Sequence, residues 1–252
     1  MKLASAINER QVPADRLREI SSATIANALD LMQVRPRGAG YADASLRLLT
    51  AAPTPVVGYA VTACASTDPA HAPGQKRIGT DALIEAFLNA PCPRILVLQD
   101  LATPPRGALF GEVLGTTIRT FGYVGLITNG AIRDLDALSS LGLPCWATGV
   151  TAGFTGGGYL TLGEPVTIAG LTVNTGDLLH ADSSGVVHIP APTAEPVVEL
   201  AHTVDEIEQR FVQALRAAGE DLAAMKRAMQ TLRDEMGQLR GRAARHAVGA
   251  SA

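Results

Sequence analysis

The chain has 252 residues, 47% of them apolar and 18% charged, with a formal net charge of −3. That length suits one large α/β domain with an appendage and a substantial core, and the composition excludes a disordered chain. No basic excess points to nucleic acid, no Lys/Arg run points to an acidic membrane surface, and no window approaches the ~18 uninterrupted apolar residues of a membrane span.

The N-terminal stretch MKLASAINERQVPADRLREI has too short an apolar run for a signal-peptide core. Cys64, Cys92 and Cys145 lie far apart with no CxxC pair, so they read as reduced thiols in a cytoplasmic protein, and zinc is not expected. The first 34 residues look helical: Pro13-Ala14-Asp15 opens one short helix, and Ser22 is positioned to cap a second through Met32. In that second helix Ile25, Leu29 and Met32 recur at helical spacing. Residues 33–56 read as loop with a short strand, and Val56–Ala63 as a strand. A polar loop over 66–79 leads to a helix across Asp81–Asn89, ended by Pro91 and Pro93. Ile95–Leu98 is a compact apolar strand closing at Asp100. Residues 101–107 form a loop, 111–121 a helix, Tyr123–Thr128 a strand, Asn129–Ala131 a tight loop, and a helix begins near Asp134. Cys145–Ala147 is the next short strand. This alternation predicts an α/β layered core.

After residue 148 the texture changes. Gly153, Gly156, Gly157 and Gly158 mark a flexible loop, and residues 165–190 alternate β-branched residues with turn signals, including a hairpin over Ile168–Val173. From Thr193 to about Ala247 the chain reads as helix with a break at Gly219. Leu222, Met225, Met229, Leu232, Met236 and Leu239 form an amphipathic stripe suited to subunit or domain packing. The expected organisation is a core over 1–190 and a helical extension over 191–252.

The stretch Gly107–Asp136 carries the candidate chemistry. If Gly111 starts a helix, the backbone N–H groups of Glu112, Val113 and Leu114 are unpaired and favour an anion such as a carboxylate. The loop Asn129–Asp134 follows a strand, and sites in open α/β sheets form beyond the carboxyl ends of strands. Arg133 offers a planar fork for carboxylate or enolate oxygens, and Asp134 an oxygen ligand for Mg²⁺ or Mn²⁺. Other readings of these residues stay open. Arg133-Asp134 is equally an ordinary surface pair or helix cap, and the glycines at 107, 111 and 115 equally allow close helix packing.

The segment GALFGEVLGTTIRTFGYVGLITNGAIRDLDAL resembles the core of the RraA-like family. Gly111-Glu112 is followed, after residues 113–132, by Arg133-Asp134, which matches the family's spacing of an acidic residue and Arg-Asp. Gly58–Thr62, Pro165–Gly170 and Gly176–Val187 are similar to its early strand and closing β segment. The resemblance implies a layered α-β-β-α sandwich of the swivelling type, with N-terminal helices and a long C-terminal helical tail. It implies an aldolase that cleaves a 4-hydroxy-2-oxo acid to pyruvate, with oxaloacetate decarboxylation as a side activity. The backbone of Gly111–Leu114 would bind the substrate carboxylate. Arg133 would hold the 2-oxo oxygen and stabilise the enolate. Asp134 would ligate Mg²⁺ or Mn²⁺, and Glu112 would position a water on the metal as acid or base. It also implies homotrimers or hexamers with a neighbour's glutamate in the site, a place that Glu206 or Glu208 could fill. Other members bind and restrain ribonuclease E without chemistry of their own. Glu112 stands where many relatives have Asp, and Thr148 where many have Arg. His71 lies on a variable loop, where a lone histidine reads first as solvent-exposed and second as a substrate contact, and His180 and His188 read as structural. Methyl transfer is not expected, because no glycine-rich cofactor loop precedes an acidic strand end.

Overall fold

The computed structural model describes residues 13–71, 74–155 and 158–249, with side chains to residue 243. The N-terminal stretch read against a signal peptide therefore lies largely outside the described residues, as do Gly156 and Gly157 of the glycine-rich loop. Two helices open the fold, α1 (Ala14–Arg18) and α2 (Ser22–Met32). The cap of α2 is Ser21, not Ser22: its hydroxyl accepts the Thr24 N–H at 3.1 Å. Ser22 is spent elsewhere, with its hydroxyl 2.8 Å from His180 Nδ1 and its N–H donating to Asp182 at 2.7 Å.

A short strand β1 (Arg47–Leu48) precedes the long strand β2 (Val56–Ala65). Then follow α3 (Thr80–Phe87), β3 (Arg94–Asp100), β4 (Ala108–Phe110), α4 (Glu112–Thr120), β5 (Tyr123–Thr128), β6 (Ala131–Ile132) and α5 (Leu135–Ser140). The second half adds β7 (Cys145–Ala147), β8 (Gly149–Val150), β9 (Thr161–Leu162), the hairpin β10–β11 (Val166–Ile168, Leu171–Val173), and the pair β12–β13 (Leu178–Asp182, Gly185–Ile189). The helices α6 (Ala194–Ala218) and α7 (Leu222–Gly249) close the chain, broken at Gly219 with φ of 55°.

Eight strands form the main sheet in the order β1-β7-β5-β3-β2-β12-β13, with β9 on β2. The sheet curls until its two halves face each other. The Trp146 indole on β7 donates to the Asp182 carbonyl on β12 at 2.8 Å, although three strands separate them in the sheet order. Inside the curl, Trp146, Val97, Ile127, Leu179 and Val186 pack with the β10–β11 hairpin. Outside, alternate residues of the same strands face helices, as period-2 geometry requires. Val61, Leu96, Leu98 and Leu126 meet α3, α4 and α5, while Val57, Leu178 and Ile189 meet α1, α2 and α6. A section through the molecule is thus α-β-β-α, a mixed α/β fold with a nearly closed sheet.

The stripe on α7 is divided. Leu239 is buried with Leu31, Val204 and Ile207, and Leu232 and Met236 pack beside it, so half of the stripe meets α2 and α6 of the same chain. Leu222, Met225 and Met229 remain exposed. Among the described residues no helix is long and apolar enough to cross a membrane. The three cysteines are free, and burial pushes the Cys145 thiol up to about 12.

His180 ties three elements together. It is fully buried on β12, its Nδ1 meets the Ser22 hydroxyl of α2, and its Nε2 lies 3.0 Å from the Leu17 carbonyl of α1. The Nε2–H tautomer satisfies both contacts. Burial holds its pKa below the ordinary 6.5. The unfolded chain therefore takes up a proton near pH 6.5 and the folded chain only at lower pH. Stability from this group is full above that value and is lost as pH falls through the gap. The melting temperature should drop between pH 7 and pH 5, and His180→Gln should flatten that slope. His188, whose pKa burial also lowers, stays in both proteins, so the difference between the two pH profiles reports His180.

Candidate active site

The site is assembled by a second, three-stranded parallel sheet, β4-β6-β8. Phe110 pairs with Ile132 and Ile132 with Val150, and the Arg133 N–H donates to the Phe110 carbonyl at 2.9 Å. This register sets Gly111 directly beside Arg133 and Asp134. The loop expected at residues 129–131 is partly the strand β6, and residues 108–110, between the loop expected at 101–107 and the helix expected from 111, are the strand β4. Strands of two or three residues carry no readable periodicity, which is why the sequence conceals them.

Gly111 caps α4 in an extended conformation (φ −161°) that any residue adopts, so its importance is steric. A Cβ there would lie 2.5 Å from Asp134 Oδ2 and 2.9 Å from Arg133 Cγ. Asp134 Oδ2 accepts the Glu112 N–H at 3.1 Å and sits 3.5 Å from Arg133 Nε. Asp134 stands at the N-cap position of α5, but its side chain makes no cap hydrogen bond to that helix. Its backbone is left-handed (φ 59°), an uncommon state for a residue with a side chain. The carboxylate thus serves the start of α4 rather than its own helix. The Arg133–Asp134 pair adds little stability, since exposed pairs contribute only ~0–1 kcal/mol. The Arg133 guanidinium also lies 5.3 Å from the Phe154 ring centre, within cation–π range.

Two corrections follow for the residues singled out from sequence. The Glu112 N–H is already engaged by Asp134, which leaves Val113 and Leu114, of the three N–H groups singled out, without a side-chain acceptor at the start of α4. The three spaced glycines are not one feature. A Cβ on Gly107 would strike Thr155, one on Gly115 would strike Leu138 of α5, and Gly111 alone borders Arg133 and Asp134.

Buried hydrogen bonds fix the loops underneath. Asp100, 1% exposed at the end of β3, accepts from Thr67 N, Thr67 Oγ1 and Ala102 N at 3.0, 2.7 and 2.9 Å. Asn129 bonds the Asp100 backbone on both sides. Thr148 donates to the Asn129 and Gly130 carbonyls, so it clamps the turn that leads to Arg133.

A cleft of about 750 Å³ opens between α3 and α4, in the size range of small-molecule sites. Gly111, Val113, Leu114 and Arg133 line it, together with Leu109 and Phe154. Glu112 and Asp134 are not among its lining residues, and the Glu112 side chain is exposed at the first turn of α4. His71 is exposed and its Nδ1 bonds Ser66 at 2.9 Å. Glu206 and Glu208 are on α6, Glu208 against Asn27 of α2 at 3.5 Å.

Among the described residues no three His, Cys, Asp or Glu side chains gather to hold a metal. Asp134 retains Oδ1, since both of its contacts use Oδ2. One free carboxylate oxygen suits a hard cation that keeps most of its waters, and does not suit zinc.

A family model described as RraA-like, Aldolase/RraA, matches residues 22–188. The chain belongs to the RraA-like family. The matched span holds all of the curled sheet except Ile189, the last residue of β13, and the Gly111–Asp134 corner. Among RraA-like relatives, a Halalkalibacterium halodurans protein with the provisional name 4-hydroxy-4-methyl-2-oxoglutarate aldolase is 30% identical over 54% of this chain and 68% of its own. A Pseudomonas syringae pv. tomato protein of the same provisional name is 36% identical over 36% of this chain and 57% of its own. Protein DlpA of Legionella pneumophila is 29% identical over 45% of this chain, a match that spans only 19% of DlpA. In structure, Streptomyces coelicolor RraAS2, described as an unusual member of the RNase ES inhibitor RraA family, superposes with a TM-score of 0.59 at 25% identity, over 78% of this chain and 93% of its own. An uncharacterised Pseudomonas syringae pv. tomato protein superposes at 0.65 with 21% identity, over 86% and 92%, which bears on the fold alone.

Sequence reasoning missed Phe154 and the α3 wall of the cleft. Phe154, one of only five phenylalanines, is 54% exposed in a glycine-rich loop, and an aromatic in such a loop is the signal that could have found it. Gly111→Ala should leave the melting temperature within a few degrees, because the backbone tolerates alanine. The added Cβ should push Asp134 and Arg133 apart and release the Glu112 N–H, which should then exchange with deuterated solvent at least ~10-fold faster than in the parent.

Proposed function

We propose that this protein is a divalent-metal-dependent carbon–carbon lyase that cleaves a 4-hydroxy-2-oxo acid to pyruvate and a second carbonyl compound, with oxaloacetate decarboxylation as a side reaction. One observation carries the reading: Arg133 and the first turn of α4 line one cleft, and the Asp134 carboxylate, just outside that lining, lies within a few ångströms of both. The names of the relatives support the class of reaction.

The substrate carboxylate rests on the N–H groups of Val113 and Leu114, where the helix start favours negative charge. Arg133 donates to the 2-oxo oxygen. Asp134 holds Arg133 on one side and the start of α4 on the other, so the two anion-binding elements keep a fixed spacing. Asp134 Oδ1 would hold Mg²⁺ or Mn²⁺, which would supply Lewis-acid polarisation of the 2-oxo acid. In the cleavage the C4 hydroxyl loses its proton, the C3–C4 bond breaks with its electrons passing to the enolate, and C3 is then protonated to give pyruvate. Arg133 faces the negative charge as it builds on the former carbonyl oxygen, where a preorganised donor acts most strongly. Glu112, exposed on the first turn of α4 and outside the lining of the cleft, would relay the hydroxyl proton through water. We further propose a cytoplasmic homotrimer or hexamer, with residues 191–252 as a packing extension and the exposed Leu222, Met225 and Met229 at a subunit contact. Glu206 or Glu208 would be the neighbour's contribution to the site.

Purified protein with Mg²⁺ or Mn²⁺ should release pyruvate from a 4-hydroxy-2-oxo acid and from oxaloacetate, and a chelator should abolish both. Arg133→Ala should lower kcat by roughly 10²–10³-fold. Asp134→Ala should abolish the metal-dependent pyruvate release; Arg133→Ala should melt close to the parent, as the exposed pair contributes little, whereas Asp134→Ala should lose about 0.5–2 kcal/mol with its bond to the Glu112 N–H. Equal losses of turnover and stability would remove Arg133 from its role. The likeness to RraAS2 favours a second reading, a non-catalytic inhibitor of ribonuclease E. Inhibition of ribonuclease E cleavage without any metal-dependent pyruvate would select it.

A further inference from the structure

Arg133 follows β6 directly, and its long side chain is 39% exposed. A free arginine at such a position samples many rotamers, and ordering it is costly. Asp134 alone does not settle its orientation, since the contact is 3.5 Å long and exposed pairs of this kind are weak. Two further contacts do. The stem lies across Gly111, where a Cβ would come within 2.9 Å of Arg133 Cγ and 3.2 Å of Nε. The guanidinium carbon then sits over the Phe154 ring, 5.3 Å from its centre. With the Nε edge toward Asp134 and one face toward the ring, the two Nη groups are left for the cleft that Arg133 and Phe154 both line.

Burial does not hold Phe154 in place, because the ring is 54% exposed. Its backbone does. The Ala108 N–H donates to the Gly153 carbonyl at 2.7 Å, and Ala108 bridges Phe154 in parallel. Gly107 permits this approach: a Cβ there would lie 2.8 Å from Thr155 Cγ2 and 3.2 Å from the Gly153 carbonyl oxygen. β4 thus has β6 on one side and Phe154 on the other. The Arg133 side chain spans the end of β4, over Gly111, from one to the other. An aromatic face suits a flat, weakly hydrated guanidinium, and covers it without competing for its N–H groups. The donors are then aligned before a ligand arrives, which matters most where negative charge builds on one oxygen.

We infer that Phe154 is a positioning residue, whose ring face holds the Arg133 guanidinium with its Nη donors turned to the oxygen that becomes the enolate oxygen. This rests on the aldolase reading for the identity of that oxygen. The contacts that position the ring and the guanidinium all lie within one chain.

Calorimetry with oxalate and pyruvate at fixed Mg²⁺ tests the inference. Oxalate carries negative charge at the place of the enolate oxygen, where pyruvate has a neutral carbonyl. Phe154→Leu keeps apolar bulk and removes the ring, and Phe154→Tyr keeps the face. At so exposed a position both variants should melt with the parent. Phe154→Leu should weaken oxalate binding by roughly 3–10-fold and pyruvate binding by less, while Phe154→Tyr binds both as the parent does. Phe154→Leu should lower kcat/KM for pyruvate release by a similar factor. In an Arg133→Ala background it should lower neither oxalate binding nor kcat/KM any further. Equal oxalate binding by the parent and Phe154→Leu overturns the inference and leaves the aldolase reading standing. So does an equal loss with and without Arg133, which would make the ring a lining contact alone. A ring effect on oxalate that vanishes with Arg133, without pyruvate from any 4-hydroxy-2-oxo acid, supports the positioning of Arg133 and overturns the aldolase reading. Failure of the parent to bind either anion or to release pyruvate overturns both.

Discussion

The pairing of β4 with β6 is the constraint on which the site depends. It joins two segments more than twenty residues apart, and its register, with Phe110 opposite Ile132, leaves Gly111 and Arg133 no option but to be neighbours. Asp134 then reaches across to the first N–H of α4. A shift of one residue would turn alternate side chains to the opposite face and carry Arg133 away from the cleft. Because β4 and β6 are so short, their own ladder cannot hold that register. It is held from below by Asp100, Asn129, Thr67 and Thr148, whose hydrogen bonds join the ends of β2, β3, β5 and β7 into one platform.

The long elements were legible in the sequence because their patterns are long. Val56–Ala65 is rich in β-branched and small apolar residues, and the broken helix after residue 193 shows helical spacing on both sides of Gly219. The fold class followed from the alternation of such segments and from the family resemblance. What stayed hidden depends on tertiary partners. Ser22 looked like a cap until His180 and Asp182 claimed its polar groups and left Ser21 to the helix. The α7 stripe looked uniform, but Leu239 is taken up by α2 and α6 while Leu222 stays outside.

The same holds for the site. The spacing of Gly111, Glu112, Arg133 and Asp134 marked a place in the chain, and the structure shows Gly111, Arg133 and Asp134 in contact there. Spacing could not show that the Glu112 N–H is already spoken for, or that the Glu112 side chain is exposed and outside the lining of the cleft. Nor could it show α3. Asp81 and Glu85 are distant in sequence from the Arg-Asp pair, and only the packing of α3 against the sheet brings them to the cleft. The Gly111–Asp134 corner thus comes from one contiguous stretch of chain, whereas the facing wall of the cleft is a helix set by the global fold.

The curl of the main sheet has a further consequence. Tyr41 bridges Val187 of β13 and the Ala42 N–H donates to the Val186 carbonyl, while Arg47 and Leu48 pair with β7. A single strip of chain therefore runs from one margin of the curled sheet to the other and occupies hydrogen-bonding groups on both. A long bare margin would invite edge-to-edge association with other chains, and here one margin is bridged and the other ends in a strand of two residues. The segment that looked least structured in the sequence thereby acts as a seam that protects the protein from self-templated aggregation.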